Sequence, residues 1–326
     1  NTAALTLATN LVSGGLITNT GTLTINAGIT LTSSGGIINS GTITNNGTCN
    51  SNSVFTNAIG SIVNNAGSWN QQAAFTNSGI FNANAGTFTC PQVFTNNAAV
   101  NVLASAAFKV DFGGAFTNAT GSTLSNAGAF GNLGTFLNTT TVTNTGTFTN
   151  NSSHTCNGVF NNESGGTLTT TSTLDINGRI NNKVGGTVNN SFNCNVKATG
   201  FFDNAGAFTN ANTITISLGG TFCNEATGVV TTNFGSSIVD GGYLKNIAGG
   251  QIAGNGSLTT TKKFDNFGLF DAQGGSQITI GDTLNNTGTF KSINIFTNNG
   301  YIFSTGSLQN LSGGTWINNK TLVNQK

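Results

Sequence analysis

The chain has 326 residues, 46 of them Gly and only one Pro, and ten Lys or Arg against nine Asp or Glu leave a formal net charge of +1. A charged fraction of 6% lies far below the roughly 25% of ordinary soluble domains, and the absence of any Lys/Arg cluster argues against nucleic acid as a partner. The apolar fraction of 36% argues against a solvated disordered chain, and no apolar run approaches the roughly 20 residues of a membrane span.

The chain starts at Asn1 and contains no Met, so it reads as a processed form whose signal peptide has been removed. An extracellular or cell-surface location is therefore expected. Residues 1–16 form a candidate N-terminal edge or assembly segment, and from there a repeat sets in. Phe-Thr-Asn begins at Phe55, Phe75, Phe94 and Phe116, at intervals of 20, 19 and 22 residues. Followed in both directions, the apolar member falls at Ile17, Ile37, Phe55, Phe75, Phe94, Phe116, Phe136, Phe160, Ile180, Phe202, Phe222, Leu244, Phe264, Leu284, Phe303 and Leu322. Two residues after each anchor stand Asn19, Asn39, Asn57, Asn77, Asn96, Asn118, Asn138, Asn162, Asn182, Asn204, Asn224, Asn246, Asn266, Asn286, Thr305 and Asn324. The phase at Phe303 competes with Phe296-Thr297-Asn298 and Leu308-Gln309-Asn310, and an insertion is allowed for there.

Within one turn of the repeat, apolar residues recur every six or seven positions, as at Phe75, Phe81 and Phe88. That spacing gives three short strands per turn, and alternation such as Thr147-Phe148-Thr149 gives each strand one buried face. Gly follows the Asn within a few residues, as at Gly41, Gly60 and Gly121, and is expected to supply the positive φ of a corner.

Stacked turns of this kind predict an all-β fold, one continuous parallel β-solenoid over 1–326 with about sixteen coils. At about 4.8 Å per coil its length would be roughly 77 Å. Phe55, Phe75, Phe94, Phe116, Phe136, Phe160, Phe202, Phe222 and Phe264 are the expected core stack. Asn57, Asn77, Asn96, Asn118, Asn138, Asn162, Asn182, Asn204, Asn224, Asn246, Asn266 and Asn286 are the expected ladder, each amide bonding the coils on either side.

The period and units such as GTLTINAG (21–28), GTFTNNSS (146–153) and NNTGTF (285–290) resemble the β-solenoid repeats of large bacterial surface proteins, the filamentous-haemagglutinin type of adhesin. The resemblance covers practically the whole chain. It implies an extracellular, structural or adhesive protein, and no binding residue carries over from it. This chain shows neither a separate secretion domain nor an adhesive insertion, and it is far shorter than those adhesins.

Chemistry is sparse. Solenoid glycosidases need facing carboxylates, whereas Asp203 and Asp265 lie three coils apart with Lys245 in the same rank, which reads as a surface ion pair with Asp265. His154 is the only histidine and lacks triad or zinc partners in the sequence. No catalytic, cofactor or metal residues are expected. No two of Cys49, Cys90, Cys156, Cys194 and Cys223 fall in adjacent coils, so they read as buried apolar residues or as links between subunits. Burial is the preferred reading, and Cys223 is the candidate for an exposed cross-link, because its rank mates are Thr, Asp and Lys. Thr-x-Thr pairs share a phase in consecutive coils only at Thr22/Thr24 and Thr42/Thr44, too broken an array for ice binding.

The first charged residue is Lys109, and the stretch before it holds Pro91 but no charge or His. Solenoids that stay solitary protect strand edges with charge, Pro or caps. The C-terminal coil carries Lys320 and Lys326. The expectation is a structural subunit of an extracellular filament, sheath or surface layer whose partner is another copy of itself. The alternative is an adhesin or stalk that contacts a cell surface or carbohydrate.

Overall fold

A computed structural model describes residues 1–311 and 314–325. Lys326 lies outside the described residues. The fold is all-β, a parallel β-solenoid of about sixteen turns with about 20 residues per turn. Its strands are three to five residues long and fall into three sheets of 17, 16 and 16 strands. Each turn contributes one strand to the first, second and third sheet in order, as in Thr42–Asn45, Thr48–Ser51 and Phe55–Asn57. The reason is local: inward and outward residues alternate within each strand, and small or polar residues separate the strands, so every short run buries one face.

Two compact units are distinguished, Asn1–His154 with Gly158–Phe160, and Thr155–Asn157 with Asn161–Lys326. The first unit has an aromatic core. Phe55, Phe75, Phe94, Phe116 and Phe136 pair in register on the third sheet, and successive ring centroids lie 4.4, 4.7, 5.1 and 5.5 Å apart. Phe88, Phe108, Phe130 and Phe148 form a second stack on the second sheet, at 4.5, 5.1 and 4.6 Å. The two stacks meet edge to face, as between Phe116 and Phe130 at 5.1 Å and 89°. Stacking within a sheet and T-shaped contact between sheets are the two arrangements that the ring quadrupole favours.

The second unit fills its interior with Ile180, Phe202, Phe222, Leu244, Phe264 and Leu284 on the first sheet, and with a mixture of aliphatic side chains and Phe208, Phe270, Phe290 and Phe296 opposite them. The anchors therefore do not form one column. Ile17 to Phe136 lie on the third sheet, whereas Phe160 to Leu284 lie on the first. The 24-residue interval from Phe136 to Phe160 hides the change, because the third-sheet strand after Phe136 begins at His154. Phe303 is also out of phase. Ile302 points inward beside Leu284, Phe303 is 47% exposed, and Phe296 stacks on Trp316 in the third sheet, with no insertion required.

The asparagines follow the same division. In the first unit the ladder runs along the corner after the third sheet: Asn19, Asn39, Asn57, Asn77, Asn96 and Asn118 each donate from Nδ2 to Oδ1 of the next, at 2.7–3.1 Å. In the second unit it runs along the corner after the first sheet, from Asn162 through Asn182, Asn204, Asn224, Asn246 and Asn266 to Asn286, at 2.7–2.9 Å. Most of these amides also donate to a backbone carbonyl one coil further on, as Asn57 does to Ile80 at 3.1 Å. The next acceptor after Asn286 is Ser304 Oγ at 3.1 Å, so Ser304, not Thr305, holds the rung.

Corner glycines are of two kinds. Gly60 and Gly121 have φ of 77° and 83°, as the turn chemistry predicts. Gly41 does not adopt positive φ; a Cβ there would lie against the carbonyl oxygen of Gly21 in the coil before. Close approach of successive coils, rather than backbone conformation, demands Gly at that corner.

Candidate functional site

Ionisable side chains gather on the outer face of the first sheet in the second unit. One outward column reads Asn181, Asp203, Cys223, Lys245, Asp265, Asn285 in consecutive coils, each paired in register with the next. The outward residues one step earlier in each strand add Arg179, Phe201 and Tyr243. Strand geometry produces this concentration: residues 20 to 22 apart in the chain stand one inter-strand spacing apart, about 4.8 Å.

Arg179 lies over the Phe201 ring at 5.3 Å, donates Nε to Asn181 Oδ1 at 2.8 Å, and forms an ion pair with Asp203. Asp265 accepts from Lys263 at 2.9 Å, from Asn285 at 2.8 Å and from the Tyr243 hydroxyl. Burial works to raise the Asp265 pKa, but these three donors and the Lys263 charge hold it below the ordinary carboxylate value. The expected Lys245–Asp265 pair is replaced by Lys263–Asp265, and Lys245 instead places Nζ 6.0 Å over the Phe267 ring. Burial, the hydrogen bond to Asp265 and the Asp265 charge raise the Tyr243 hydroxyl.

The thiol of Cys223 stands between Asp203 and Glu225, and the three potential ligand atoms lie within 4.8 Å of one another. These are the residues that could hold a divalent cation. Arg179 already neutralises Asp203, and Cys223 keeps its proton, donating to Glu225 Oε1 at 3.2 Å. Burial first, then Glu225 and Asp203, push that thiol up to about 12. Cys223 is only 8% exposed although its strand position faces outward, which overturns its assignment as the exposed cross-link. Its neighbours in the column cover it. All five cysteines are buried. His154 is fully buried among Phe136, Phe148 and Phe160, and neither ring nitrogen has a hydrogen-bond partner.

The sequence placed Asp203, Lys245 and Asp265 in one rank. It missed Arg179 and Glu225, which reach the cluster from neighbouring outward positions; the signal was their two-residue offset from that rank.

Fold and surface together define a β-solenoid repeat protein with polar internal ladders. No helix among the described residues is long and apolar enough to cross a membrane. No protein-family profile matches the chain, and no curated protein sequence is significantly similar to it.

Proposed function

We propose that the protein is a structural subunit of an extracellular self-assembling filament, sheath or surface layer, built through strand-edge pairing and packing of uncharged faces. The observation that supports this reading is the surface of the first unit. Its outward columns are uncharged up to Lys109, as in Thr22, Thr42, Ile62, Ile80, Ala99 and Thr123 and in the neighbouring Thr24, Thr44, Asn64, Asn82, Asn101 and Ser125. Strands Ala4–Leu7, Leu11–Ser13 and Ile17–Asn19 pair with the following coil, beside a cleft of about 260 Å³ rimmed by exposed Leu5, Leu11, Val12 and Leu16. An uncharged edge with exposed apolar side chains templates a further strand, where a charged one would repel it.

The test is negative-stain microscopy of the purified chain at near-neutral pH, beside the Val12→Lys/Leu16→Lys variant. Regular fibres or tubes from the parent and dispersed particles from the variant are the expected result. Dispersed particles from both would overturn self-assembly. The adhesin or stalk reading would then lead, supported by the aromatic and charged face around Phe201, Tyr243 and Lys263, with a cell-surface ligand or carbohydrate as its partner.

A further inference from the structure

Asp240 ends the third-sheet strand Ser237–Asp240, at the corner that Asn298 and Asn318 occupy three and four coils later. It is fully buried, in register with Ile216 on one side and Thr260 on the other. Its Oδ1 accepts from the Gly242 N–H at 3.0 Å, as Asn298 Oδ1 accepts from the Gly300 N–H at 3.1 Å. Oδ1 therefore plays the part of the asparagine carbonyl, and Oδ2 stands where the amide nitrogen would. In Asn298 that nitrogen donates forward to Asn318 at 2.7 Å. In Asp240 the atom has no partner, and neither does Thr260 Oγ1 one coil on, which is equally buried. A carboxylate has no hydrogen to give. A carboxylic acid has the shape of the amide and one hydrogen in the right place.

We propose that Asp240 is a protonated rung of the corner ladder, because its Oδ2 is sealed from water with neither a donor nor a cation beside it, and that removing this proton loosens the corner between Ser237–Asp240 and Ser257–Thr260. Burial raises the carboxyl to about 7, against the pull of the Gly242 N–H. The register partners Ile216 and Thr260 bring no titratable group to its level, and no neighbouring charge contributes to the shift. Lys263, three residues after Thr260, is paired with Asp265. The sign follows. The folded chain keeps the proton up to about pH 7, whereas the unfolded carboxyl loses it near the ordinary value of 3.8, so the stabilisation is complete below that value and is lost as pH rises to about 7.

Carbon-detected NMR titration of carboxyl groups in the full chain, with the Asp240→Asn variant beside it, tests the proposal. One carboxyl titrating near pH 7 and missing from Asp240→Asn is expected. Titration of every carboxyl below pH 5 would overturn it. Hydrogen exchange, corrected for the intrinsic rate, gives a second readout at Thr261, whose N–H bonds the Asp240 carbonyl at 2.7 Å. Its protection should fall by up to about tenfold per pH unit between about pH 4 and 7 in the parent, and not in Asp240→Asn. Identical profiles in the two proteins would refute the protonated rung.

Discussion

An asparagine in this fold has a task that its neighbours do not share. Asn77 accepts from Asn57 at 2.8 Å and donates to Asn96 at 2.9 Å and to the Ala99 carbonyl at 2.8 Å, with no exposure to water. Asn77→Ala leaves a buried donor on one side and a buried acceptor on the other, each worth about 1 to 3 kcal/mol. Thr76→Ala, on the outer face of the same strand, should change stability by less than about 0.5 kcal/mol. Urea denaturation of both variants checks the contrast. His154 provides a second residue-scale prediction. Burial lowers its pKa from 6.5 to about 3, so its neutral form supports the fold fully above pH 6.5 and that support is lost as pH falls through about 3. Over that interval the loss amounts to roughly 4 to 5 kcal/mol. His154→Phe, which puts a ring of similar size among Phe136, Phe148 and Phe160, should leave a chain whose urea midpoint falls less steeply between pH 6.5 and 4.

The column, rather than the single ring, is the working part of the core at the scale of an element. Phe94 touches Phe75 and Phe116 within its own stack, and Phe88 and Phe108 across the interior, at centroid distances of 4.7 to 5.6 Å. Phe94→Ala should cost about 3 to 5 kcal/mol, measured by chemical denaturation, because each flanking ring is held by its own coil and cannot collapse into the gap. The period, the three strands per turn, the inward phenylalanines and the Asn ladder were all legible in the sequence, since each depends on spacing along the chain. The transfer of the ladder from the third corner to the first was not. Phe136 and Phe160 are both large and apolar, both followed by Asn after two residues, and periodicity alone gives no sign that a strand was skipped. The substitution of His154 for the expected aromatic ring is what conceals it.

At the scale of the whole molecule, the stretch without charged side chains before Lys109 is the property to test. Assembly through the uncharged faces and strand edges of residues 1–108 should persist at high salt, because no side-chain ion pair lies in that stretch to screen. It should also persist in reductant, since all five cysteine side chains are buried. Negative-stain grids prepared in about 1 M NaCl and with a thiol reductant check both. Loss of fibres on reduction would mean that a cysteine reaches the surface in the assembled state.

Sequence alone determined the all-β class, the solenoid period and the residue types that line the interior and its corners, because these follow from local alternation and from recurrence along the chain. Only the tertiary structure decided which residues share a column, since a coil of variable length brings together residues 18 to 24 positions apart. That variability placed Arg179 against Asp203, covered Cys223, paired Lys263 instead of Lys245 with Asp265, and set Asp240 at a corner built for an amide. Charge, burial and protonation in this protein are properties of the stack, and the stack exists only after each coil has found its register on the one before.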